Sequence, residues 1–341
     1  MVAQEGADKG ATAGRLIWVD AAKGAGIVLV AIAHVWTRGD VRDAIYVFHM
    51  PLFFLLAGYV ARPRPMGLFL RAQIWSMVIP YICFLLLITA LDQWIEHSRG
   101  HLPMFRTWQG AAEAMLLGGS LLKGPFTIFW FVPCLMVARI LQNALLARWP
   151  NPVDWRWVLA MGVSLGVGMW LGAETDFSPL GLLTVPVALV LLWLGMVWRA
   201  LGAGRDSRLM LLAMAVSIMV FALWALGYWK IVPIDMKSGN YGMPGLSLLL
   251  AVAMSLALCG VMRLVVGWMP AQSLLVGLGR RSLVIMYCHV PVIHYAAPYF
   301  SKPVLLLLSL VASLLFYEIA MRSPWMRFLF LGEKLRPAMA R

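Results

Sequence analysis

"GIVLVAIAHVW", residues 26–36, is an apolar run that carries one histidine, His34, near its end and follows Lys23 by three positions. An ionisable side chain within hydrocarbon costs on the order of 2.5 to 3.5 kcal/mol, so such groups turn toward a protein interior and mark sites. Extended to about 17–37, the run is long enough to cross a bilayer core, which takes roughly 20 apolar residues. The same template fits nine further segments, at about 45–62, 72–93, 125–147, 156–173, 180–199, 208–229, 245–265, 282–299 and 303–321. The expected fold is all-α, a polytopic membrane bundle of about ten transmembrane helices. Its expected parts are an N-terminal tail (1–16), a transmembrane domain (17–321) and a C-terminal tail (322–341).

Composition agrees with this reading. Hydrophobic residues make up 62% of the 341 and charged residues 13%, with a mean hydropathy of +0.82, which excludes an ordinary soluble surface. A net charge of +13 would suit nucleic acid, but the chain offers no soluble basic domain to present it. Assigned to alternate loops, the 28 Lys and Arg residues place 19 on the side of the termini and eight on the other, with Lys23 inside a span. By the positive-inside tendency both termini are expected to be cytoplasmic. The first 15 residues, polar and small, lack a small-residue cleavage site and read as a tail before a retained helix. Cys83, Cys134, Cys259 and Cys288 form no CxxC pair and no Cys/His cluster, so no metal site is expected. The longest connection, about 94–124, is assigned outside; its apolar stretch at 110–117 is too short to span and is expected at the interface or re-entrant.

The titratable residues inside spans point to a site. Asp20 and Lys23 are spaced to pair at the cytoplasmic end of the first helix. Lys23 and His34 are eleven residues apart, close to three turns and roughly 16 Å of rise, which sets them on one face at different depths. Taken alone, Lys23 could equally snorkel to the interface and His34 could bond a neighbouring helix. His49 opens the second span near the outer surface, where it can meet His34; one imidazole would be a general base and the other an orienting or binding group. Arg71 starts the third span and Arg280 and Arg281 the ninth, all at the cytoplasmic mouth, where guanidinium groups could grip phosphate or serve topology alone. His289 near the middle of the ninth span needs a polar partner. Trp130 is either a belt residue or a sugar-stacking platform.

Together "WVDAAKGAGIVLVAIAH" (18–34), "FHMPLFFLLAGYV" (48–60), "FLRAQIWSMVIPY" (69–81), "WFVPCLMVARIL" (130–141) and "GRRSLVIMYCHVPV" (279–292) resemble the acyltransferase 3 family of integral membrane acyltransferases. The first motif matches the family's initial helix, in which an Asp, a basic residue before Gly, and a His separated from that residue by ten others recur. The resemblance implies that His34 is the essential histidine and that Lys23 holds the position usually taken by Arg. That substitution keeps the charge but loses the bidentate fork. It further implies the sugar O-acetylase branch, without an appended SGNH-type domain, and a bacterial inner membrane setting. The implied donor is acetyl-CoA or another acyl-CoA, with no permanently bound cofactor. Its phosphates would lie near Lys23, Arg71, Arg280 and Arg281, and Asp20, Trp130 and His289 would bind or support substrate. The implied acceptor is a glycan hydroxyl, from exopolysaccharide, a lipid-linked repeat, lipopolysaccharide or periplasmic glucan, with polysaccharide-synthesis proteins as further partners. Catalysis would fall to His34 and His49, with a carboxylate partner among Glu113, Glu174, Asp176 and Asp235. Ten helices with intramembrane ionisable groups also fit a glycan or metabolite transporter, although no inverted-repeat signature accompanies them.

Overall fold

In the computed structural model the described residues are 16–334, apart from 231, 244, 267 and 268. The N-terminal tail up to residue 15, the segment from residue 335 onward, and the basic residues counted in both lie outside them. The described residues are mainly helical. In order it forms α1 (Ile17–Val35), α2 (Asp40–Tyr59), α3 (Met66–Gln73), α4 (Ile79–Ser98), α5 (Trp108–Leu117), α6 (Phe131–Arg148) and α7 (Trp155–Glu174). It continues with α8 (Val185–Ala200), α9 (Ala203–Ala225), α10 (Leu246–Val265), α11 (Met269–Arg280), α12 (Ser282–Ala296), α13 (Lys302–Met321) and α14 (Pro324–Leu331).

Nine helical segments among the described residues are long and apolar enough to cross a membrane. The third joins α3 to α4 through a π-helical turn at Ile74–Val78. Pro80, in the first turn of α4, would clash with the carbonyl of Ser76 in a regular α-helix, and the wider turn accommodates it. The expected ninth span is present as α12, but at 15 residues it is shorter than the others. Ahead of it, α11 occupies what reads in sequence as a loop. Part of the expected C-terminal tail is also helical: α14 lies on α4, with Phe330 and Phe84 ring centres 5.0 Å apart. The apolar stretch at 110–117 is the short helix α5, capped by Thr107, whose hydroxyl accepts from Gly110 N at 3.2 Å.

Two glycine-mediated crossings set the centre of the bundle. A Cβ on Gly24 would lie 1.9 Å from Leu275 O, and one on Gly279 would lie 1.8 Å from Asp20 O, so α11 runs antiparallel along the start of α1 with the backbones in contact. Gly58 and Gly195 do the same for α2 and α8, meeting Leu192 O at 1.9 Å and Leu55 O at 2.1 Å. Small residues let membrane helices approach at a spacing that larger side chains forbid. At the end of the bundle where α1 begins, Arg263 pairs with Asp206 at 2.5 Å and lies 4.2 Å from the centre of the Trp18 ring, tying α1, α9 and α10 together.

Candidate active site

A cavity of about 420 Å³ lies within the bundle, lined by four of its helices and by an irregular segment. From α1 it takes Lys23, Ile27, Val30 and His34, spaced by four, three and four residues, which is a single helical face. From α6 it takes Phe131, Leu135 and Arg139, again at one-turn intervals. Tyr46, His49, Met50, Phe53 and Ala57 line it from α2, with Val60 just past that helix, and Ser282, Leu283 and Met286 from α12. The middle is mainly apolar. Cations mark both ends, with Lys23 and Arg139 toward the start of α1 and Lys237 at the far end, beside Asp235. The volume is within the range of small-ligand sites.

His34 is half-buried and faces this space. Its ring centre is 5.2 Å from that of His289, and His289, His49, Lys237 and Arg42 are its charged or titratable neighbours. His49 and His289 are each held by their own helix: Nδ1 of His49 donates to Ile45 O at 3.0 Å, and Nδ1 of His289 to Ile285 O at 2.7 Å. A carbonyl only accepts, so both Nδ1 atoms carry hydrogen and both neutral rings keep a lone pair on Nε2.

The other residues singled out in the sequence divide between the cavity and its surroundings. Trp130 lines the cavity and is buried; it is seated by the turn at Pro179–Thr184, where a Cβ on Gly181 would lie 2.4 Å from Trp130 O. Asp20 is buried beneath the entrance, with Lys23 Nζ at 4.0 Å and Arg280 Nε at 3.8 Å. Arg280 is not part of the lining. Arg281 is committed to α13, pairing with Glu318 at 2.9 Å and lying 4.7 Å from the centre of the Tyr317 ring. Arg71 is exposed on α3, away from the cavity. Of the four cations expected at the donor end, Lys23 alone lines it.

Arg139 was counted in sequence only as a topological charge. It stands where the main cavity meets a small polar cleft lined by Arg62, Arg64, Gln142 and Asn143. Its neighbours among the described residues are the Met77 sulfur at 4.0 Å and the Phe69 ring at 5.7 Å, and no carboxylate pairs with it. The one-turn spacing from Phe131 through Leu135 was the available signal.

The far end is lined by an irregular segment, Ile234–Lys237, that periodicity could not reveal. A bridge between Asp235 and Asn240 shapes it, and the Thr184 hydroxyl donates to Met236 O to pin it. Of the four carboxylates considered for His34, Asp235 is the one in the lining. Lys237 Nζ donates to Leu122 O at 2.7 Å and to the Thr127 hydroxyl at 2.9 Å. Burial pulls this ammonium down to about 8, against the opposing pull of the Asp235 carboxylate. Below that pH the amine is charged and unreactive, and above it neutral. A water-soluble acylating reagent is therefore expected to modify Lys237 half-maximally near pH 8, where an ordinary lysine waits until about 10.4; peptide mapping across pH checks this, and a midpoint above 10 contradicts it.

No group of three or more His, Cys, Asp or Glu side chains that could hold a metal ion occurs among the described residues. Among curated proteins and among solved structures, no significant match is found. The profile of the acyltransferase 3 family, described as "Acyltransferase domain", matches residues 16–321. An all-helical membrane bundle, an internal cavity lined by His34 and His49 and a family match over nearly the whole chain converge: this chain belongs to the acyltransferase 3 family and is an integral membrane acyltransferase.

Proposed function

We propose that the protein moves an acyl group, acetyl by family preference, from cytoplasmic acyl-CoA to a hydroxyl of an extracytoplasmic or lipid-linked glycan, in a bacterial inner membrane. The observation that carries this reading is the single cavity joining the Lys23 and Arg139 end to His34. The rise from Lys23 to His34, roughly 16 Å, suits an extended pantetheine arm between phosphates at one end and a thioester at the other. Lys23 and Arg139, with Arg62 and Arg64 in the adjoining cleft, would hold the phosphates. Trp130 and His49 would bind the sugar.

His34 would take the proton of the attacking hydroxyl as its oxygen bonds to the acyl carbon. The carbon–sulfur bond then breaks and the departing thiolate receives that proton, giving an ester and free CoA. An alcohol attacks a thioester slowly unless its proton leaves as the bond forms, and a positioned base contributes about 10² to 10⁴-fold.

Purified protein in nanodiscs, given acetyl-CoA and a crude envelope glycan, is expected to release CoA thiol in a glycan-dependent manner, with loss of at least about 100-fold in His34→Ala. Equal release from the variant removes His34 from the chemistry. Absence of release from the wild type with any acyl-CoA rejects the proposed donor.

A further inference from the structure

His289 is fully enclosed, with 0% of its surface exposed, in the middle of α12. An imidazole so placed has two nitrogens to satisfy, and an unmade hydrogen bond on a buried polar atom costs about 1–3 kcal/mol. Nδ1 is satisfied by Ile285 O. Nε2 is buried and has no hydrogen-bond partner among the described residues. Since Nδ1 holds the hydrogen, Nε2 of the neutral ring is an acceptor in need of a donor.

The ring facing it belongs to His34, on a different helix, at 5.2 Å between centres and 60° between planes. Two imidazoles joined by an N–H···N bond have centres about 5 Å apart, the sum of a donor–acceptor distance of about 2.9 Å and the short step from each nitrogen to its ring centre. The centre-to-centre spacing of the two rings matches that of such a bond; the bond is not formed in this structure, and forming it requires a reorientation of His34.

We propose that His289 is the positioning residue for His34. Its Nε2 accepts one N–H of His34, which fixes the His34 tautomer so that the other nitrogen is unprotonated and faces the cavity. The inference rests on the acyl-transfer reading and adds the source of His34's orientation. The arrangement differs from a carboxylate-backed histidine in one respect that matters chemically. A neutral partner orients the ring without adding a negative charge that would hold the imidazolium, so the captured proton passes readily to the departing thiolate. His289 itself does not relay the proton, because its Nδ1–H is donated to the Ile285 carbonyl, which cannot take the proton over.

Three proteins test this in nanodiscs: wild type, His289→Leu and His289→Asn. Positioning predicts that His289→Leu lowers kcat for CoA release by about 30-fold or more, with KM for acetyl-CoA changed less than about threefold. His289→Asn, whose side-chain oxygen still accepts, retains at least ten times the Leu activity, on the order of one restored hydrogen bond. A packing role predicts the opposite order, because leucine fills an apolar site and asparagine does not; Leu equal to or better than Asn overturns the proposal.

Nitrogen-15 spectra of histidine-labelled wild type give a readout independent of turnover and of whether the variants fold, and the chain has only six histidines to assign. The expected signature is an unprotonated Nε2 on His289 receiving a hydrogen bond, and a single tautomer for His34. A protonated Nε2 on His289, or mixed tautomers at His34, overturns it. Should wild type release no CoA, the acyl-transfer reading fails, while the spectra still decide whether the two rings are paired.

Discussion

Gly24→Val yields little or no monodisperse protein, and Gly24→Ala a strongly destabilised one, when detergent-solubilised material is followed by size exclusion and thermal aggregation. Even a methyl group at this position would lie 1.9 Å from a main-chain oxygen of α11, and a backbone atom cannot rotate away as a side chain does. Relief requires α1 and α11 to separate, which pulls Asp20 from Arg280 and disturbs the face that carries Lys23. Ordinary overpacking costs roughly 1–3 kcal/mol, and a main-chain overlap at a helix crossing exceeds it. Gly26, half a turn further on, supplies the control. There a Cβ would meet the ends of the Leu52 and Phe53 side chains at 2.8 and 3.2 Å, which have rotamers to yield, so Gly26→Ala is expected to be much milder. Equal tolerance at both glycines would mean that the backbone contact between α1 and α11 is absent in the membrane.

Arg139→Leu raises KM for acetyl-CoA by roughly 10- to 100-fold, with kcat changed far less. A charge-assisted hydrogen bond to phosphate is worth about 1.5–3 kcal/mol, and a cation inside a span with no carboxylate partner among the described residues has its charge available for a ligand. Arg71→Leu is the comparison: the residue is exposed and outside the cavity, so its loss is expected to leave KM nearly unchanged. Initial rates across acetyl-CoA concentrations separate the two, and a larger effect at Arg71 than at Arg139 would place the donor phosphates elsewhere.

The contrast between these two arginines shows where sequence reading stops. Apolar length sufficed for the spans, because hydrocarbon imposes a minimum on every helix that crosses it. It failed for α11, whose 12 residues are too few to cross and which is held against α1 by the close approaches at Gly279 and Gly24. The shared face of Lys23 and His34 was legible, since both lie on one helix and helical spacing fixes their relative azimuth. The pairing of His34 with His289 was not, because nothing within one helix states which neighbour it meets. Arg71 and Arg139 look alike in sequence, each a single cation in an apolar stretch, and only the packing of α3 and α6 separates an exposed guanidinium from one that lines the cavity. Asp235 and Lys237 sit in an irregular turn whose position depends on Thr184 and Thr127 from distant segments, contacts that leave no period to read.

The shortness of α12 bears on how an acceptor would reach His34. Fifteen residues rise roughly 22 Å, against a hydrocarbon thickness of roughly 30 Å. A bilayer meets such a shortfall by thinning or by letting polar groups dip inward. Most of α12 is enclosed by other helices, so its shortness is met inside the protein, around His289 and its neighbour His34. On the proposed reading, a short helix at this point leaves a polar acceptor less hydrocarbon to approach through before it reaches His34.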